Sequence, residues 1–153
     1  ETTNLDSGSD FVSEERGRIR LERRAWVSGK EPAVRFYFDD NKTPLSGEFL
    51  QELTLTRTSD IVRLRFGINE QWQYFTQIYW EGNNFIISYR DENLKTASKT
   101  LDMTGMKTAK ISLLSNYTSG TPMFSMWINN KLALSNVFCV QDVNPKNAKW
   151  ILQ

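Results

Sequence analysis

The chain has 153 residues, 39% of them hydrophobic and 24% charged, with a formal net charge of +1. That balance fits a folded domain with a real core and excludes disordered and fibrous classes. Near-neutral charge gives no global field to draw nucleic acid, and no apolar run approaches a bilayer span, so neither nucleic acid nor membrane is expected as a partner.

The chain has no histidine and one cysteine, Cys139. Ser-His-Asp and Cys-His catalysis are excluded, as are histidine-based zinc and iron sites and thiolate clusters. No intramolecular disulfide can form. Cys139, within Val137-Phe-Cys-Val140, reads as a small buried hydrophobe. No metal, no cofactor and no catalytic residue is expected.

Taken in chain order, residues 1–15 are rich in Thr, Ser, Asp, Asn and Gly and read as a flexible N-terminal arm. Residues 16–153 read as one domain. From there period two dominates. Arg18–Trp26 alternates, with Ile19, Leu21 and Ala25 on one side. Ala33–Phe38 places Val34, Phe36 and Phe38 together. Asp39–Pro44 is a turn cluster. Phe49–Arg57 aligns Phe49, Leu53 and Leu55. Ile61–Ile68 sets Val62, Leu64, Phe66 and Ile68 against Arg63 and Arg65. Gln71–Trp80 and Phe85–Arg90 form two strands around the turn Glu81-Gly-Asn-Asn84. Residues 94–97 suit a short helical turn. Later strands are expected at 108–114, 123–129, 132–134, 137–140 and 148–152. Ile128-Asn-Asn-Lys-Leu132 predicts a tight hairpin, because asparagine tolerates positive φ. Many short strands separated by turns predict an all-β, antiparallel β-sandwich. Five tryptophans and nine phenylalanines supply its core.

Face matching then fixes pairings, since a one-residue slip inverts every side chain. Trp80 is expected opposite Phe85, Ile78 opposite Ile87 and Thr76 opposite Tyr89 on the core side. Tyr79 then meets Ile86, and Gln77 meets Ser88. A short connection at Ile68-Asn-Glu70 predicts Leu64 opposite Tyr74, Phe66 opposite Trp72, Arg65 opposite Gln73 and Arg63 opposite Phe75. Trp72, Tyr74, Ile78 and Trp80 fall in the core. The outward face collects Arg63, Arg65, Gln73, Phe75, Gln77, Tyr79 and Arg90. Its chemistry suits a carbohydrate or acidic polysaccharide. Glutamine offers a hydroxyl both donor and acceptor, an aromatic ring covers an apolar sugar face, and arginine grips carboxylate or sulfate bidentately. The plainer alternative is a solvated face with a structural cation–π pair.

Other motifs carry less. The basic run Arg16–Arg24 could contact phosphate or an acidic polymer, but reads first as an edge strand guarded against strand addition. Asp39, Asp40 and Asn41 offer calcium-type oxygens but read as a polar turn. Glu48 and Glu52 are carboxylates whose pairing needs distances. Asn41-Lys-Thr and Asn116-Tyr-Thr are glycosylation sequons.

Two resemblances follow. Lys110-Ile-Ser-Leu-Leu, a Ser/Thr/Gly loop and Met126-Trp-Ile-Asn-Asn-Lys-Leu132 resemble the late strands of concanavalin-like and laminin-G-like jelly-roll sandwiches, with Asn130 where a glycine is usual. Arg20-Leu-Glu-Arg-Arg24 and Gln77-Ile-Tyr79 resemble motifs of alginate-lyase-like jelly rolls, with Tyr79 where that family has histidine. The second resemblance implies that Arg20, Arg24 and Gln77 hold uronate carboxylates. The family's closing Tyr-Phe-Lys-Ala-Gly motif is absent.

The leading expectation is a non-catalytic carbohydrate-binding module, extracellular or on a cell or virion surface. The alternatives are a reduced polysaccharide lyase acting by β-elimination, and a structural or adhesion domain whose face meets a protein partner in a viral or secreted assembly.

Overall fold

The computed structural model describes the backbone of residues 3–6, 11–15, 18–22, 33–37, 47–58, 61–67, 74–91, 93, 95–116, 118, 123–138 and 149–152. Side chains are described for 47–48, 50–58, 61–64, 76–91, 93, 95–116, 118 and 123–138. None of these residues is helical, and no helix is long and apolar enough to cross a membrane.

The strands are β1 (Thr3–Asp6), β2 (Phe11–Glu15), β3 (Arg18–Glu22), β4 (Ala33–Tyr37) and β5 (Glu48–Thr56). Next come β6 (Ile61–Gly67), β7 (Tyr74–Glu81), β8 (Asn84–Arg90) and β9 (Thr96–Asp102). The last are β10 (Thr108–Asn116), β11 (Met123–Ile128), β12 (Lys131–Phe138) and β13 (Lys149–Leu152). A seven-stranded sheet runs β1-β4-β13-β6-β7-β8-β9, and a four-stranded sheet runs β12-β11-β10-β5. β2 and β3 pair as a separate ribbon. Every pairing among these strands is antiparallel. The protein is an all-β, antiparallel β-sandwich.

One core joins the two main sheets. Leu64, Ile78, Trp80, Phe85 and Ile87 come from the larger sheet, and Ala109, Ile111, Leu113, Phe124, Met126 and Ile128 from the smaller. Each of these strands alternates, so one face of each sheet is apolar and finds its complement across the gap. Trp80 and Phe85 are both fully buried, with ring centroids 5.3 Å apart at 68°. Such an edge-to-face pair adds to the roughly 1.5–3 kcal/mol gained by burying each large apolar side chain.

Tight turns set the hairpins. Gly82, at φ 53°, begins the two-residue turn between β7 and β8. Asn129 and Asn130, at φ 51° and 63°, turn β11 into β12 as expected from the sequence. The Asn129 side chain adds to this by accepting the Lys110 N–H at 2.8 Å through Oδ1. The β9–β10 turn carries the chain from one sheet to the other. There Asp102 Oδ1 accepts the Thr104 N–H at 2.9 Å and its hydroxyl at 2.6 Å.

Several expectations are corrected. The β7–β8 register is as read from the sequence, but β6 lies four residues further along β7. Leu64 faces Ile78, Arg63 faces Tyr79, Arg65 faces Gln77 and Phe66 faces Thr76. A short connection would have left the Ile78–Trp80 backbone without a β6 neighbour. The observed register pairs it throughout, with Val62 opposite the buried Trp80. An even shift preserves which face each residue occupies.

Thr96 and Ala97 belong to strand β9 rather than to a helical turn. Residues 132–134 and 137–138 form one strand, β12, broken by register shifts instead of a loop. Asn136 sits at φ 48° within it, its N–H bonded to Ser125 Oγ at 3.0 Å. Thr3–Asp6 pairs with β4, and Phe11–Glu15 pairs with β3. Gln71–Gln73, Asp39–Asn41, Arg24 and Cys139 lie outside the described residues.

Candidate functional site

The outward face of the larger sheet is built by alternation. Thr76, Ile78 and Trp80 are fully buried. Gln77 and Tyr79 therefore point to the other side, where both are half-buried. Two cross-strand rows result. Arg63, Tyr79, Ile86 and Thr100 form one, and Gln77, Ser88 and Ser98 form the next, with Arg65 opposite Gln77 in register. Arg90 is exposed one pair further along β8, opposite Thr96.

Of the seven sequence-derived candidates, the register thus brings Arg63 to Tyr79 and Arg65 to Gln77. Arg90 shares their sheet. Phe75 lies in β7, and Gln73 falls outside the described residues. The four-residue change in register rearranges the site. Sequence reasoning set Arg63 beside Phe75 and Arg65 beside Gln73, whereas each arginine instead meets one of the two residues at the middle of β7.

The guanidinium carbon of Arg63 stands 5.8 Å from the centroid of the Tyr79 ring. This separation lies within cation–π range. The contact occupies the ring face with a cation. Guanidinium N–H groups are the ones that fork onto carboxylates and sulfates. The ring thus partners an arginine, a role the sequence named only as the structural alternative.

The opposite face of the molecule has different chemistry. Glu52 Oε1 accepts the Ser112 hydroxyl at 2.9 Å and pairs with Lys110 Nζ at 2.9 Å. The Lys110 hydrogen bond first, then that of Ser112 and the lysine's charge, hold the Glu52 carboxyl below its ordinary value. Glu48 accepts Asn116 Nδ2 at 2.8 Å. A carboxylate whose charged form is favoured in this way is a poor general acid near neutral pH. Glu48 and Glu52 read as sheet-surface links rather than as a glycosidase pair. Among the described residues, no group of three or more His, Cys, Asp and Glu side chains is placed to hold a metal ion.

The lyase-like constellation is not assembled by strand pairing among the described residues. Arg20 lies in β3, which pairs with β2, while Gln77 and Tyr79 lie in β7 of the larger sheet.

Sequence reasoning missed Trp127 and Leu132. They pair on the outward side of the smaller sheet, next to the Glu52–Ser112 link. Leu132 is 54% exposed and Leu50, on the same side, 61%. The alternation Met126-Trp-Ile128 carried the signal for Trp127. An aromatic residue between two core positions faces outward.

No protein-family model matches the sequence, and no curated protein matches it. Among solved structures, the chain is similar to a botulinum neurotoxin type G receptor-binding domain, at 9% identity and a TM-score of 0.36, over 99% of this chain and 41% of that one. It is also similar to a mutant of HCR/D, at 14% identity and a TM-score of 0.35, over 92% of this chain and 42% of that one. The chain spans less than half the length of either.

Proposed function

We propose that the protein is a non-catalytic, extracellular or surface-borne carbohydrate-binding domain of concanavalin-like type, and that its ligand is an acidic glycan. The reading takes residues 16–153 as one sandwich domain. Arg63, Arg65, Gln77, Tyr79 and Arg90 form the binding face in this reading, which also keeps Gln73 and Phe75 as candidates from the sequence. The observation that carries this reading is the Arg63–Tyr79 contact. It sets an arginine on a face that also carries Gln77, Ser88, Ser98 and Thr100, with Ile86 among them. An oxyanion meets the guanidinium, and sugar hydroxyls meet the neighbouring amide and hydroxyls. Neutral glycans that rely on an open aromatic platform fit this face less well, because the tyrosine ring already carries a cation.

A glycan array spanning uronate, sulfated and neutral oligosaccharides tests the reading. Binding to the acidic members, lost in the Gln77→Ala, Tyr79→Ala double variant, is expected. Absence of binding, or binding untouched by the double variant, contradicts it.

A second reading is a structural or adhesion domain that meets a protein partner. The outward Leu50, Trp127 and Leu132 of the smaller sheet favour it. Light scattering separates the two. A persistent oligomer supports the second reading, and a monomer that binds glycan supports the first.

A further inference from the structure

The larger sheet ends at β9, which has β8 as its neighbour on one side. Among the described residues, no strand pairs with its other edge. Thr96, Ser98, Lys99, Thr100 and Asp102 are all exposed. The strand meets β8 in an unbroken register from Thr96 to Asp102, without a bulge, and it contains no proline. A regular, open edge of this kind is a template for the addition of another strand.

β12, at the edge of the smaller sheet, is built differently. Its register on β11 skips Ala133 between Leu132 and Leu134, shifts again beyond Phe124, and holds Asn136 at φ 48°. Such irregularities spoil an edge for pairing. β9 has none of them, and one side chain stands in their place. Ala97, Lys99 and Leu101 lie on the core side of the strand, opposite Tyr89 and the buried Ile87 and Phe85. Ala97 and Leu101 are half-buried there, but Lys99 stays exposed. Its Nζ reaches to β12 and donates to the Ala133 carbonyl at 2.8 Å. An inward-side charge on an edge strand works against strand addition.

A second copy of the chain is the partner this edge fits. Antiparallel pairing of β9 with its own copy keeps core side beside core side only when paired residues are an even number apart. Full overlap of Thr96–Asp102 then centres on Lys99. Thr96 meets Asp102 of the second copy, Ala97 meets Leu101, and Ser98 meets Thr100. These are compatible cross-strand pairs. The centre sets Lys99 against Lys99, and like charges directly opposite are destabilising. The strand thus complements itself at every pair except the middle one.

We propose that β9 is a latent pairing edge for a second copy of this chain, and that Lys99 holds it closed. Without that charge, two copies join their larger sheets edge to edge. The inference needs no ligand and is independent of the glycan reading.

Sedimentation equilibrium of the wild-type chain, Lys99→Arg and Lys99→Val tests it. Lys99→Val removes the charge and brings in a strong strand former. Its mass should reach twice that of the wild-type chain at high concentration and fall back on dilution. Lys99→Arg keeps the charge and should match the wild-type chain throughout. Amide hydrogen exchange locates the contact. Residues 96–102 should exchange about tenfold more slowly in concentrated Lys99→Val than in the wild-type chain. Should Lys99→Val not fold, Lys99→Gln carries the same expectation, because it keeps a long polar side chain at this exposed position and loses only the charge. A neutral variant with the wild-type mass overturns the proposal. So does a doubled mass whose 96–102 amides exchange as in the wild-type chain, or doubling in Lys99→Arg.

Discussion

Phe85 and Ile86 are chain neighbours with opposite fates. Phe85 is fully buried against Trp80, while Ile86 is half-buried on the outward face. Phe85→Ala should therefore cost about 3–5 kcal/mol, from lost transfer energy and the cavity left behind. Ile86→Ala should cost about 1 kcal/mol or less, since the outward face has less packing to lose. Urea unfolding of the two variants measures the difference. Glu52 gives a residue-scale prediction in pH. Its carboxyl is held below the ordinary 4.5 by Lys110 and Ser112. A depressed carboxyl stabilises the fold above its unfolded value, and that contribution fades as pH falls through the lower folded value. An NMR titration should find the Glu52 side chain half-protonated below pH 4.5, and Lys110→Met should move that point upward. The group is solvent-accessible, so screening keeps its share of stability small.

At the scale of elements, the β11–β12 hairpin depends on Asn129 and Asn130 holding left-handed backbone. Asn130→Val places a β-branched residue there and should cost about 1–2 kcal/mol, while Asn130→Gly should be neutral or stabilising. Thermal midpoints of the two variants check this. The hairpin was legible because asparagine pairs carry their own turn chemistry. The β7–β8 register was legible because both strands alternate strictly and Gly82 marks the bend between them. The β6–β7 register was not. Segment 68–73 has no comparable turn signal, and any even shift keeps the same faces, so alternation could not choose between them. β9 was missed for a different reason. It is an edge strand whose core side carries Ala97, Lys99 and Leu101, and the lysine breaks the apolar period. Lys99 Nζ reaches across to the Ala133 carbonyl at 2.8 Å, tying the edges of the two sheets instead of entering the core. β12 read as two strands because Ser135-Asn136 interrupts the alternation, and the chain absorbs that interruption as a bulge. For the candidate site, alternation made the outward direction of Gln77 and Tyr79 legible. The Arg63–Tyr79 contact depends on long-range register, which one sequence does not encode locally.

For the molecule as a whole, a net charge of +1 means that the long-range field is weak. Binding of an acidic glycan then depends on where arginines are placed rather than on total charge. Under the proposed function, affinity for an oligouronate should fall as salt is raised from 50 to about 500 mM, because surface charge contacts are screened. The Arg63→Ala, Arg90→Ala double variant should bind about tenfold more weakly and respond less to salt, as calorimetry would show. The two sheets present opposite faces, so a ligand on one leaves the other undisturbed. Backbone amide shifts during titration with an oligouronate read this face by face. Shifts centred on Arg63, Gln77, Tyr79 and Arg90, with Glu52, Lys110 and Trp127 unmoved, are predicted. Shifts confined to the Glu52–Trp127 face, or none at saturating ligand, would contradict a binding site on the larger sheet.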